Sequence, residues 1–182
     1  MNKQAIFKSV MCALTAALST LAFTIENLFP PLILPGARIG ISNVFILFSA
    51  IFLGGKYAFI TLIIKTVLGS LFAGNPFAII YSLPAGAVAL SVELLIIYKI
   101  KNTSVVCASV AGAILNTTVQ NLIFCLLTAI EYIVYLPYLA LIGTLSGLVV
   151  GFTVYLIIRY LPNKYFTFAF TNQKNKEEEN IN

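Results

Sequence analysis

Runs of about twenty apolar residues, repeated along the chain and separated by short polar breaks, leave this sequence few folds to choose from. As a helix, a run of that length crosses a hydrocarbon layer of about 30 Å, where only helices or closed barrels satisfy their own backbone groups. The strict apolar-polar alternation of a barrel strand is missing, so helices are predicted. Charged residues make up 9% of the 182 residues, against about a quarter in a soluble domain, which excludes a water-soluble globule. The expectation is an all-α integral membrane protein, a compact bundle of six transmembrane helices over residues 1–164. The remaining stretch, 165–182, is too polar to bury and is expected to be a disordered cytoplasmic tail.

The breaks set the helices. Lys3 and Lys8 precede an apolar run that resembles a secretory signal, but it leads straight into further apolar runs, so it is read as helix 1, Ser9 to Phe29. Pro30, Pro31 and Pro35 end it, since proline lacks the donor that helix continuation needs. Helix 2 covers Ile39 to Leu53, short for a full span, and Gly54-Gly55-Lys56 is a turn. Helix 3 runs from Tyr57 to Ala73 and is closed by Gly74-Asn75-Pro76, a stop and turn signature. Helix 4 is Phe77 to Tyr98, helix 5 Thr103 to Thr128 and helix 6 Tyr138 to Tyr160, with Glu131 and Pro137 in the connection between the last two.

Lysine and arginine orient the bundle, because short cytoplasmic loops carry an excess of both. With the amino terminus inside, Lys3, Lys8, Lys56, Lys99, Lys101, Arg159, Lys164, Lys174 and Lys176 all fall inside, and Arg38 alone falls outside. This predicts a multi-pass protein of the cell membrane with both termini cytoplasmic.

Depth then follows from the helical rise. Asn116 lies about 20 Å along helix 5 and Gln120 about 6 Å further, on one face of its outer half. Asn43 lies about one and a half turns below the outer end of helix 2. Glu26 and Asn75 sit near the outer ends of helices 1 and 3. Arg38, Asn43, Asn75, Asn116 and Gln120, with Glu26 and Glu131 beside them, therefore converge on the extracellular side as a candidate substrate-binding set. Lys65 joins them from about 13 Å into helix 3. A lysine there costs about 2.5–3.5 kcal/mol to insert, so its charge is expected to face the interior and meet a partner or an anionic ligand, with snorkelling to an interface as the alternative. Glu93, near the cytoplasmic end of helix 4, is expected to pair with Lys99 or Lys101. The bland reading of Asn116 and Gln120, interhelical hydrogen bonding alone, stays open.

Two stripes of small residues recur every four positions: Ser9, Ala13 and Ala17 in helix 1, and Gly143, Gly147 and Gly151 in helix 6. Such stripes let helices approach closely. The first lies in the cytoplasmic half, where a partner could dock. Cys12, Cys107 and Cys125 all lie in apolar runs, as small hydrophobes do.

Several stretches together carry a family resemblance: CALTAALSTL, PGARIGISN, the turn LGGK and LGSLFAGNPFAIIYSLPAGA. Over about residues 8–160 the chain resembles the membrane family called heptaprenyl diphosphate synthase component I, or Gx transporter family, which in turn resembles the S components of energy-coupling factor transporters. That likeness implies a six-helix S-component-like protein that binds a small molecule, with a transmembrane coupling protein and ATPase subunits as partners and membrane lipid around it. It implies that Arg38, Gly40 and Asn43 form one motif and Gly69, Gly74, Asn75 and Pro76 another, and that Ala13 and Ala17 contact the coupling subunit. The chain departs from the family pattern in helix 5, where Leu115 and Asn116 stand in place of a histidine-asparagine pair before Gln120.

The residues also bear on chemistry. A prenyl diphosphate synthase holds magnesium through clustered aspartates, since Mg²⁺ prefers hard carboxylate oxygens. This chain has no aspartate and no histidine, and its glutamates are isolated apart from three in the tail. It also lacks a Gly-rich phosphate loop for ATP. No catalytic residue, metal, cofactor or nucleic-acid partner is expected. The leading reading is a receptor subunit for uptake of a vitamin or a cofactor or quinone precursor. The alternative is a noncatalytic accessory subunit of heptaprenyl diphosphate or menaquinone synthesis.

Overall fold

A computed structural model describes residues 3–28, 40–100, 103–128 and 130–160. They form α1 (Lys3–Leu28), α2 (Ile41–Phe52), α3 (Gly55–Phe72), α4 (Ala78–Lys99), α5 (Val105–Leu127) and α6 (Leu136–Tyr160), with a 3-10 turn at Ile130–Tyr135. The all-α membrane bundle expected from the apolar runs is therefore what forms. Five of the helices are long and apolar enough to cross a membrane, whereas α2 is not. Its 12 residues reach only about 18 Å. Arg38, the three prolines before it and the tail lie outside the described residues.

Local chemistry sets the ends. Gly54 (φ 99°) and Gly74 (φ 70°) take left-handed conformations at the α2–α3 and α3–α4 corners, where other residues would be strained. Ser104 caps α5 by accepting from the Val106 N–H at 3.2 Å, satisfying a donor with no partner in the first turn. Gly55 and Lys56 are the first residues of α3 rather than part of the turn, and Pro137 belongs to the first turn of α6 rather than to the connection. Proline is tolerated there because first-turn N–H groups have no acceptor within the helix.

The helices close into a ring in which each packs on the next: α1 on α2, α2 on α6, α6 on α5, α5 on α4, α4 on α3 and α3 back on α1. Inside and outside are inverted relative to a soluble protein. Leu14, Leu21, Leu71, Leu141 and Leu145 are exposed, while Thr15, Ser19, Ser49, Thr61, Thr66 and Ser109 are buried. Lipid solvates leucine as well as a core does, so it is small residues and hydroxyls that gain from facing other helices. A chain of such groups ties α1 to α2 and α3: Ser19 donates to the Ser42 carbonyl at 2.7 Å, and Thr61 lies 3.5 Å from both Thr15 and Ser49. Two apolar clusters complete the interior, one around Ile46, Leu62 and Leu90 and one around Leu47, Val150 and Val154.

The two small stripes have different fates. Gly143, Gly147 and Gly151 are buried against α5. Ser9, Ala13 and Ala17 point outward, because the inner face of α1 is taken by Cys12, Thr15, Ala16, Ser19 and Phe23.

Candidate functional site

At the end of the bundle where α1 finishes, here the Glu26 end, α2 begins below the surface. Its N-cap, Gly40, lies beside Ser146, which is ten residues into α6 and so about 15 Å from that helix's start. Gly40 has φ 80°. At the first turn of α2 the Glu26 carboxylate accepts from the Ile41 N–H and, at 3.2 Å, from the Ser42 hydroxyl. A carboxylate at a helix N-terminus also neutralises the positive end of the dipole. Glu26 therefore fastens α1 to α2.

Beside this joint, Lys65 reaches inward from α3. It is 6% exposed, its Nζ donates to Asn43 Oδ1 at 2.7 Å, and it lies 5.2 Å from the centre of the Phe23 ring. Snorkelling is thereby ruled out in this conformation: the ammonium stays inside, held by an amide oxygen and an aromatic face.

Lys65 and Asn43 line a cavity together with Phe23, Glu26, Gly40, Ser42, Ser82, Asn116, Thr117, Gln120 and Ser146. Every one of the six α-helices contributes at least one of these residues. The Asn116 and Gln120 side chains make no hydrogen bond to another described residue, so their amides are available to whatever enters. The free volume is about 40 Å³, room for about three waters.

Of the residues expected from the sequence, the fold thus brings together Asn43, Lys65, Asn116 and Gln120. Asn75 is not among them: it is exposed at the α3–α4 corner, where its N–H is bound to the Ser70 carbonyl. Glu131 is likewise exposed, in the 3-10 turn. Arg38 lies outside the described residues. Glu93 does not pair with Lys99. It turns into the bundle, and its carboxylate fills the space that a side chain on Gly112 would need. Lys101 lies outside the described residues. The cavity also takes Ser42, Ser82, Thr117 and Ser146, which the sequence does not mark. Isolated hydroxyls in apolar helices often bond their own backbone, as Thr117 does to the Ala113 carbonyl, so sequence alone does not single them out.

Gly40 gives a first prediction. In Gly40→Ala the new methyl meets Ser146 Oγ at 2.6 Å and φ stays positive, so a loss of about 1–2 kcal/mol from backbone strain adds to the clash. Thermal melting in detergent is expected to fall by about 2–8 °C, a chain of this size losing roughly 2–4 °C per kcal/mol. Adding Ser146→Ala should recover only the steric part. Unchanged melting in the single variant would show that the left-handed cap is not required.

A family model described as heptaprenyl diphosphate synthase component I matches residues 14–157 of the chain. No curated protein and no solved structure matches it.

Proposed function

The chain belongs to the heptaprenyl diphosphate synthase component I family, and we propose that it serves as a membrane substrate-binding subunit for uptake of a small molecule. The class is a vitamin or a cofactor or quinone precursor, and separate coupling and ATPase subunits supply the energy. The observation that carries this reading is the cavity to which all six helices contribute, with a buried lysine held inside it. Lys65, Asn43, Asn116 and Gln120 are the proposed ligand contacts, and Arg38, outside the described residues, is proposed to join them. Glu26 already neutralises the amino end of α2, so the positive charge that the described residues offer an anionic group is that of Lys65.

The free volume of about 40 Å³ is far below the several hundred Å³ of a typical small-molecule site. In this reading the described conformation is a closed one, and capture opens the Glu26 end. That end faces the outside of the cell membrane and both termini face the cytoplasm, an orientation supported by the distribution of lysine and arginine. The subunit itself carries out no reaction.

Ala13 and Ala17 are the proposed docking stripe for the coupling subunit. Both face outward, and small residues there allow close helix approach. Ala13→Phe with Ala17→Phe is expected to cut recovery of a co-purifying coupling protein by about tenfold, two rings holding the helices apart. The melting temperature should be unchanged. Equal recovery from the double variant would remove this surface from the proposal.

The family's description favours a second reading, a noncatalytic membrane component of heptaprenyl diphosphate synthesis. Affinity purification separates the two. Recovery of a coupling protein and ATPases supports uptake. Recovery of a soluble prenyl synthase, with activity restored on mixing, supports the second reading and sinks the first.

A further inference from the structure

We infer that the cavity continues into a cation-receiving subsite at Glu93, so that the molecule it takes carries a protonated amine as well as an anionic group. This deepens the binding-subunit reading and rests on it. A second hollow of about 30 Å³ is lined by Glu93, Ser109 and Gly112, and shares Asn43, Ala113, Asn116 and Ser146 with the first. The two are thus neighbours across a common wall of amides and a hydroxyl. Glu93 is six residues from the Lys99 end of α4 and Lys65 is ten residues from the corresponding end of α3, which sets the carboxylate about 6 Å deeper toward that end.

Three observations give Glu93 its role. No hydrogen bond to another described residue holds its carboxylate, and the charge that acts on it is that of Lys65 across the shared wall. Gly112 stands on α5 where any side chain would collide with its carboxylate, so the helix opposite leaves room for that group to point inward. The carboxylate that lines the first cavity, Glu26, is already committed to the start of α2. A carboxylate inside a membrane bundle is retained where it meets a partner or a substrate. The common wall therefore presents an ammonium hydrogen-bonded to an amide oxygen at one height and a carboxylate at another, two opposite charges that act on each other across the hollow. The chemical complement of that pattern is a zwitterion whose anionic group meets Lys65 and whose ammonium meets Glu93, with the amides of Asn43 and Asn116 between them.

The test uses the full chain in lipid nanodiscs and a series of straight-chain ω-amino carboxylates of increasing length, each beside the carboxylate that lacks the amine. At one or two lengths the amino compound should bind about tenfold or more tightly than its partner, the size of one hydrogen bond between charged groups. In Glu93→Gln the amine preference should vanish, and in Glu93→Asp it should move to a longer compound. Equal binding of the paired compounds at every length, or a preference that survives Glu93→Gln, overturns the subsite. If the simple carboxylates bind wild type and are lost in Lys65→Met, the binding-subunit reading stands even where the subsite fails. If neither series binds, both fall.

Discussion

Lys65→Met is expected to strip the purified protein of its small molecule while leaving the bundle folded. The ammonium is a buried charge donating to Asn43 Oδ1 at 2.7 Å inside the cavity. A charged hydrogen bond to a ligand there is worth about 1.5–3 kcal/mol, or roughly 10- to 150-fold in affinity. The fold responds differently because two terms oppose one another. Removing a lysine from mid-membrane recovers about 2.5–3.5 kcal/mol of insertion cost, while the orphaned Asn43 oxygen loses about 1–3 kcal/mol. Methionine keeps the length and packing of the side chain, so net stability should shift little. Native mass spectrometry of the gently purified variant reads the first effect and thermal melting the second. A variant that retains the wild-type bound mass would show that Lys65 is a structural cation only.

Gly147→Val should do the opposite and destroy the fold. A side chain at Gly147 would meet the Val110 Cα at 2.6 Å and the Ser109 carbonyl oxygen at 2.9 Å. Both are backbone atoms of α5, so the collision cannot be relieved by a rotamer change. Gly151 stands 2.7 Å by the same measure from the Val106 Cα, so pushing α6 away at one level breaks contact along the whole stripe. Overpacking commonly costs about 1–3 kcal/mol; with backbone on both sides, about 3 kcal/mol or more is expected. Size-exclusion profiles should show loss of the monodisperse species. Ala13→Leu, on the outward stripe, should leave the profile intact. A monodisperse Gly147→Val protein would mean that α5 and α6 separate more easily than their packing implies.

These two stripes show where the sequence was legible. Helix number, order and approximate ends follow from apolar runs and from Gly-Asn-Pro and Gly-Gly breaks, because lipid imposes length on each element. Which face of a helix turns inward does not follow in the same way. Ala13–Ala17 and Gly143–Gly147–Gly151 have the same spacing, yet the first faces out and the second in. In a membrane, hydropathy does not distinguish the two environments. The better indicator on α1 was its line of hydroxyls, Thr15, Ser19 and Thr20, all buried.

The candidate site was legible in part for the same reason. Asn43, Lys65, Asn116 and Gln120 are too polar for lipid, so the sequence marks them, and the fold brings them together. Asn75 is as polar, but a corner gives it an exit that mid-helix residues lack. Glu93 was expected to meet nearby lysines along the chain. It turns instead toward Gly112, nineteen positions on and on a neighbouring helix. A glycine opposite a carboxylate is a tertiary signal that no local window contains.

The way the six helices meet around one small cavity has a mechanical consequence. A molecule gripped there by residues from every helix would be a shared strut of the bundle. Occupancy and rigidity then rise together: at a ligand concentration of about 100 Kd, mass action adds about 2.7 kcal/mol to the folded state. Emptying the cavity would loosen α1, α2 and α6 around the Gly40–Ser146 contact together. The bound molecule would thus set how readily the whole subunit changes shape.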